Sequence, residues 1–432
     1  MTLSDLQQNG VIGAGGAGFP AHVKLNAQPE ILIMNAAECE PLLHKDKELL
    51  RHHTQTVLQG FETAMQLTGA AQGIIGIKAK HRALINLLKS QIRDSISIIP
   101  VGDFYPAGDE VTLVYLTTGR LVQPGDLPLS VGCVVQNVET LYNMGLEQPV
   151  VDTFITVAGA VASPRTLRVP VGTAYRDILA QFDIRTRQYR VRSGGLMMGS
   201  LETNLNQGVT KYSAGLVVLP ADHACVDMYE RYRTPQQTDR LAKAGCDQCN
   251  FCTEYCPRYL LGYPVRPETA MRDRMFNTGD PKAHSGNQFC CECNLCTLFG
   301  CPESLDPKGA TLIEKKMLRN ESWQGLPVTP HPMMNYRKVP TRKLMQRLDV
   351  LQFSDKAPLS DLKLRPEQVR IPLRQHIGAP AVPVVETGQS LQRMDLIGKP
   401  DGDLSSAVHA SISGTVTNVT ETHIVIRGNY AG

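Results

Sequence analysis

No stretch of this chain stays apolar for long. The longest uncharged apolar runs, 31–34 (ILIM) and 215–220 (GLVVLP), fall far short of the ~20 residues that a membrane-spanning helix needs. A secretory signal is also lacking, because MTLSDLQQNGV carries no basic segment followed by an apolar core. The chain is therefore expected to stay in the cytosol without a membrane span. Charge of one sign is lacking too: 44 Lys and Arg stand against 41 Asp and Glu, a net +3. That near balance excludes an obligate polyanion binder acting through bulk charge, so no nucleic-acid partner is expected. Tryptophan occurs once, yet 42% of residues are hydrophobic and 20% charged, the composition of a soluble globular chain. At ~100 to 200 residues per domain, 432 residues predict two to four domains.

Cysteine, by contrast, is concentrated. Nine of the 12 lie between 246 and 301. Tight clustering in a long chain without a signal points to metal ligation and away from disulfides. The first run, Cys246, Cys249, Cys252, Cys256, Pro257, reads C-x2-C-x2-C-x3-C-P. The second, Cys290, Cys293, Cys296, Cys301, Pro302, has four residues before its last cysteine. Two-residue spacers put three thiolates inside one tight loop, at three corners of an iron-sulfur cube. The fourth cysteine, followed by proline, points away and ligates the other cluster in two-cluster ferredoxins. The expected sets are thus crossed: Cys246, Cys249, Cys252 with Cys301, and Cys290, Cys293, Cys296 with Cys256, for two [4Fe-4S] clusters. Structural zinc is the competing reading, although zinc sites usually separate their C-x2-C pairs by ~12 to 20 residues. Cys291 is expected to face outward as a spare thiol. Cys39, Cys133 and Cys225 read as buried fillers.

Periodicity predicts strands at 31–35, 73–78 and 96–101, with helices over 43–68, 81–92 and from 137 to 145. That alternation argues for an α/β sheet with parallel pairs over 1–150. Short β-rich runs broken by Gly and Pro fill 151–220. A polar helical connection and the cluster module take 221–326, a proline-punctuated linker 327–375, and a compact β domain 376–432. His44, His223 and His409 are expected to be surface or packed residues, with no ligand role.

Gly13, Gly15, Gly16 and Gly18 spell G-x-G-x-x-G, with Glu38 twenty residues beyond the last. A Rossmann turn requires a strand before it and a helix after it. Only twelve residues precede this loop, and Phe19-Pro20 follows it, so a Rossmann dinucleotide turn is not expected. Such a loop can still bring backbone amides close to a phosphate or a flat ring, with Lys24 nearby to add charge.

Together with GAGGAGFPAHVKL (13–25), the segments NAAECEP (35–41), YPAGDE (105–110) and VVQNVETL (134–141) carry a resemblance. They resemble the flavin-bearing, NADH-oxidising subunit of respiratory complex I and its RnfC-type relatives. Within that group the chain is most similar to the PduS-type cobalamin reductases of propanediol-utilising microcompartments. In RnfC proteins the barrel-sandwich segment precedes the flavin domain, whereas here, as in the PduS type, it follows. The resemblance implies a multidomain α/β fold: a Rossmann-like FMN/NADH-binding domain, a soluble-ligand-binding (SLBB) β-grasp domain, a ferredoxin-like module and a barrel-sandwich hybrid domain.

The same resemblance implies FMN, two [4Fe-4S] clusters and NADH as donor. Gly13, Gly15, Gly16 and Lys24 would surround the flavin phosphate and ribityl chain, Asn35 would add a polar contact, and Gln136, Asn137 and Thr140 would form the opposite wall. Glu38 and Glu40 would lie near the ring and nicotinamide, and Tyr105, Gly108, Asp109 and Glu110 beside the ring, with Glu38 and Glu110 as the catalytic candidates. Family members often carry Asn at 136, and the complex I proteins carry Arg at 14 and Asp at 37, so the dinucleotide grip is expected to differ. The implied acceptor is cobalamin or a cobalamin-handling adenosyltransferase, inside or beside a microcompartment whose shell proteins are further partners. An RnfC-like relay to another protein and a noncatalytic metal-stabilised scaffold are the alternatives. Around 408–414 (VHASISG) no lysine offers a carrier attachment point, so the last domain reads as a docking or structural module.

Overall fold

The computed structural model describes all residues except 232–233, 277–285, 323–324 and 430–432. Part of the expected cluster module, 277–285, therefore lies outside the described residues. Two short helices, α1 (Leu3–Gln8) and α2 (Ala21–Leu25), flank the glycine loop. The apolar run ILIMNA then forms β1 (Ile31–Ala36), nearly all of it buried. It lies between two parallel neighbours, β2 (Gln72–Lys78) and β5 (Cys133–Asn137), with β3 (Ile96–Val101) outside β2. Parallel neighbours need crossovers. These are α3 (Lys45–His52) with α4 (Thr54–Thr68), then α5 (Arg82–Lys89), then β4 (Phe104–Tyr105) with α6 (Glu110–Thr118), and α7 (Val138–Gly145) leaves β5.

The single helix expected over 43–68 is two. His53 breaks it with φ −130° and ψ 33° and turns its ring onto Tyr142 and Phe154. Strand β5 is too short for its alternation to count, and α6 is apolar without one preferred face, so periodicity identified neither. Helices α4 and α7 cross at glycines. A Cβ on Gly60 would lie 1.8 Å from the Leu141 carbonyl oxygen, and one on Gly145 2.0 Å from that of Thr56. This crossing fixes the middle and end of α7 against the core, and the start of the same helix walls the site.

A second, mixed sheet follows, built from β6 (Asp152–Gly159), β7 (Arg165–Pro170), β8 (Tyr189–Ser193), β9 (Ser200–Leu201) and β10 (Gly215–Pro220). The order is β7-β6-β10-β8-β9, parallel only between β6 and β10. Helices Ala224–Arg231 and Pro235–Gly245 lead to the first cysteine run, and helix Pro267–Phe276 packs on Pro307–Met317 beside both runs. Residues 327–375 are not a loose connection. Val339–Pro340 pairs with β4, and Leu344, Met345, Leu348 and Val350 are buried in a core shared with Tyr105 and Cys293. Strand Gln368–Pro372 already pairs with His423–Gly428 in the last domain. That domain is a four-stranded and a three-stranded antiparallel sheet around one core, in which Val408, Ala410 and Ile412 are buried.

The last domain also touches the first residues of the chain. Gln7 Nε2 donates to the Gly402 and Ser405 carbonyls, Ala407 N to Gln7 O, and Ile377 N to Gly18 O. Buried Lys211, just before β10, donates to the Gly10 and Ala407 carbonyls at 2.8 and 2.9 Å and joins three domains at one ammonium. The molecule is thus a mixed α/β multidomain protein, and among the described residues no helix is long and apolar enough to cross a membrane.

Candidate functional site

The glycine loop joins α1 to α2 and is pinched at its neck by Ile12 and Pro20. It follows no strand of the parallel sheet, in line with the rejection of a Rossmann turn. Gly13 N donates to Phe19 O at 2.8 Å, and Ala14 N to Thr140 Oγ1 at 2.9 Å. Gly16 sits at φ +108° with open space where a Cβ would be, and a Cβ on Gly15 would come within 3.3 Å of Asn137. The loop is therefore a bare backbone edge laid against the start of α7.

That edge borders a cavity of about 1110 Å³. Gly13, Gly15, Gly16, Lys24, Asn35, Glu38, Glu40, Tyr105, Gly108, Asp109, Glu110, Gln136 and Asn137 all line it. Thr140 does not; it stands behind the loop and holds Ala14. Lys24 is not free, since its ammonium meets Glu110 Oε1 at 2.6 Å with both side chains partly exposed. Asn35 donates to Gly108 O and accepts from Ala37 N, which ties β1 to the 105–110 segment. Glu38 Oε1 accepts from the amides of Cys39 and Glu40. Asp109 caps α6 and takes a bidentate contact from Arg258 at 2.6 and 3.0 Å. Burial would raise the Asp109 pKa, but Arg258 outweighs it and holds the carboxyl below its ordinary value. This carboxylate thus docks the flavin-type domain onto the cluster module.

Glu40 accepts from the Met197 and Met198 amides at 2.8 and 2.7 Å. Burial nevertheless pushes its pKa up to about 7. A carboxyl that holds its proton more tightly when folded loses stability as pH rises from its unfolded value to its folded one. Denaturation midpoints of the wild type should therefore fall relative to Glu40→Gln between about pH 4.5 and 7 and run parallel above. Parallel curves throughout that window would contradict the assignment.

Sequence reasoning missed the residues supporting this wall. Lys45, 1% exposed, donates to Ala14 O at 2.9 Å and meets Glu139 at 2.5 Å. Burial opposes its charge, yet Glu139 and Asp46 keep the Lys45 pKa above normal. Asp46 accepts from Asn137 Nδ2 at 2.8 Å, and burial raises its pKa. These residues sit in a polar stretch, KDKE, that reads as a solvated helix start. The only signal was Glu139 inside VVQNVETL. The buried atoms Asp46 Oδ1 and Gln136 Nε2 have no partner among the described residues, and both residues line the cavity. Unpaired buried polar atoms are costly, so the wall fits a ligand bearing both donors and acceptors, as a flavin does. The far wall, including Ser193, Met198 and Glu202, comes from the second sheet, and Arg370, Arg374 and His423 come from the last domain.

The cysteine runs curl alike. Gln248 and Asn250 have φ 54° and 64°, and Glu292 and Asn294, at the same offsets in the second run, 60° and 65°. Left-handed residues at two matched places wind each loop inward around its thiols. Burial, then Glu268 and the thiols of Cys301, Cys246 and Cys249, pushes Cys252 up to about 12. Cys301 is raised by burial and by Cys249 and Cys246. Cys256 is raised by burial and Cys290, and Cys296 by burial, Cys290 and Cys256. Cys252 also raises Cys296, so the two expected sets adjoin. In the packing, Cys246 of the first run shares an apolar cluster with Cys301 of the second, and Cys256 of the first shares another with Cys290 of the second. Buried thiols that repel one another as thiolates fit a cationic iron core. Among the described residues no ligating side chains converge closely enough for a single metal ion, and a four-iron cube spaces its ligands more widely. Cys291 does not face outward as expected: it lines the cavity and contacts Cys293. Cys39, Cys133 and Cys225 are buried fillers, and His44, His223 and His409 are packed inside.

Three family models match: a Nuo51 FMN-binding domain over residues 6–145, a 4Fe-4S dicluster domain over 245–306, and an RnfC barrel sandwich hybrid domain over 348–430. Cobalamin reductase PduS of Salmonella typhimurium (strain LT2) is 40% identical over 430 residues, 97% of this chain and 95% of its own length. PduS of Citrobacter freundii matches to the same extent. This chain belongs to the PduS family. A component of the proton-translocating ferredoxin:NAD(+) oxidoreductase complex of Clostridium ljungdahlii is more distant, 29% identical over 60% of the chain and 56% of its own. Among solved structures, an air-oxidised NAD+-reducing [NiFe]-hydrogenase chain superposes with a TM-score of 0.50 at 20% identity, over 80% of this chain and 66% of that one. That likeness is one of fold. The PduS match, unlike that to the clostridial protein, runs through the flavin-type domain, the cysteine runs and the C-terminal sheets in one order.

Proposed function

We propose that the chain is an NADH-oxidising FMN and iron-sulfur electron-transfer flavoprotein that reduces cobalamin. The observation that carries this reading is one cavity that holds the glycine loop, Glu38 and Tyr105 and is also bordered by Cys293 of the cluster module. FMN supplies the conversion from a two-electron hydride donor to one-electron iron-sulfur acceptors. The chain's own residues would do the rest. Gly13, whose amide closes the loop on Phe19 O, would shape the bare edge from which Gly15 and Gly16 offer amides to a phosphate, with Lys24 within reach. Asn35 would add a polar contact, Gln136 and Asn137 would form the opposite wall, Glu38 and Glu40 would lie near the ring and nicotinamide, Glu110 would stand beside the ring, and buried Tyr105 would close the floor against water. The eight cysteines would hold two cubes in the crossed sets.

In domain terms, we read 1–150 as the FMN/NADH-binding domain, 151–220 as an SLBB β-grasp domain and 221–326 as the helical connection with the dicluster module. Residues 327–375 would be the connecting segment, its end strand Gln368–Pro372 joining the sheet of the barrel-sandwich hybrid of 376–432. We further propose a cytoplasmic place within or beside a propanediol-utilisation microcompartment, with shell proteins and an adenosyltransferase nearby, a reading that the likeness to PduS supports. The test is anaerobic. Purified protein should contain releasable FMN, iron and acid-labile sulfide, and NADH should drive reduction of cob(III)alamin. Colourless protein would return the scaffold reading. Rapid reduction of a protein acceptor with none of cobalamin would favour the RnfC-like relay.

A further inference from the structure

The two cysteine sets do not stand alike toward the cavity. Of all cluster-run cysteines, only Cys291 and Cys293 line it. Tyr105 forms the floor at 1% exposure, and its hydroxyl donates to the Cys293 carbonyl at 2.7 Å. A second tie runs from Asn294 Nδ2 to Met197 O, whose own amide binds Glu40 on the cavity wall. The other set adjoins this one: the segment Cys296–Gly300 packs on helix Phe251–Glu254, where a Cβ on Gly300 would meet the Cys252 Cα at 3.3 Å. Beyond it the chain reaches solvent. Residues 247–250 are exposed, Cys249 among them, and Phe251 is 43% exposed.

Electron transfer slows steeply with distance, so a carrier beside the cavity and a carrier under the surface have different tasks. We infer that the set Cys256, Cys290, Cys293 and Cys296 is the inner station, entered past Tyr105 and Cys293. The set Cys246, Cys249, Cys252 and Cys301 is then the outer station, which delivers electrons at the exposed loop 247–251. This order rests on the proposed flavin and iron-sulfur reading. For each NADH oxidised to NAD+ and H+, two electrons pass singly along this line and reduce two cob(III)alamins to cob(II)alamins.

Rapid freeze-quench electron paramagnetic resonance of the full chain, mixed anaerobically with NADH, tests it. Iron and flavin contents, together with NADH bleaching of the flavin in the wild type, first establish the underlying reading, so failure there is distinct from failure of the order. In Cys249→Ser the inner cluster signal should still appear as fast as in the wild type, while cob(III)alamin reduction slows about tenfold or more. In Cys296→Ser the flavin should bleach normally, but the outer signal should appear about tenfold more slowly with NADH while dithionite still develops it. An outer signal that keeps its wild-type rate in Cys296→Ser overturns the order. Should Cys296→Ser not fold, Cys249→Ser decides alone. The signal altered or lost in that variant should be the one that soluble dysprosium chelate relaxes in the wild type, and the unaltered signal the first to appear with NADH. The opposite pairing overturns the inference.

Discussion

Cys256→Ser should lose about half the iron and acid-labile sulfide while keeping its full flavin content. Cys256 lies in the first run, but it packs in one cluster with Cys290 of the second. The substitution should therefore remove the same resonance signal as Cys293→Ser, 37 residues away in sequence. It should leave the signal that depends on Cys249, its near neighbour in the same run. If Cys256→Ser and Cys249→Ser remove one and the same signal, each run binds its own cluster and the crossed sets are wrong. Serine is the instructive replacement because it keeps the side-chain size and the turn into Pro257, so backbone damage is not the expected cause.

The second large effect concerns Lys45 and Glu139. Both are 1% exposed, and Glu139 also accepts from Phe154 N at 2.9 Å and Thr153 Oγ1 at 3.1 Å. Glu139→Leu would leave the buried ammonium without the carboxylate it touches and with only Asp46 nearby, and removing one partner of a buried pair typically costs about 3 to 5 kcal/mol. Because Lys45 also holds the Ala14 carbonyl, the glycine loop should loosen, and FMN should dissociate more readily from whatever folds. Adding Lys45→Met to Glu139→Leu should recover much of the stability, since an apolar pair of similar volume often replaces a buried ion pair without loss. The Phe154 amide stays orphaned in both variants, so recovery should be incomplete. Denaturant titration of the single and double variants checks this. A double variant no more stable than Glu139→Leu would mean that the pair's charge is not what matters.

These two cases mark where the sequence was and was not legible. Cysteine spacing carries its own geometry, because two-residue spacers leave few ways to aim three thiols at one point, and the proposed crossed sets rest on that spacing. The glycine loop and its facing segments were readable through the resemblance of four short motifs. Lys45, Asp46 and Glu139 were not, because a KDKE stretch looks like a solvated helix start, and only tertiary packing of α3 under the loop buries it. Asp109 illustrates the reverse. Its motif placed it beside a ring, and it does line the cavity, but Arg258, 149 residues later, takes both its oxygens. The stretch after 327 read as a proline-punctuated linker, yet Leu344 and Val350 are wholly buried, because helix Thr341–Arg347 there is too short for a period to show.

The hydrogen bonds joining residues 7–18 to 377–407 put the chain's first and last domains along one seam. A module sutured beside the other end of the polypeptide can change its position in the gene without changing its neighbours in space. Gln7 and Lys211 are the stitches that any version with the module placed elsewhere would have to keep or replace.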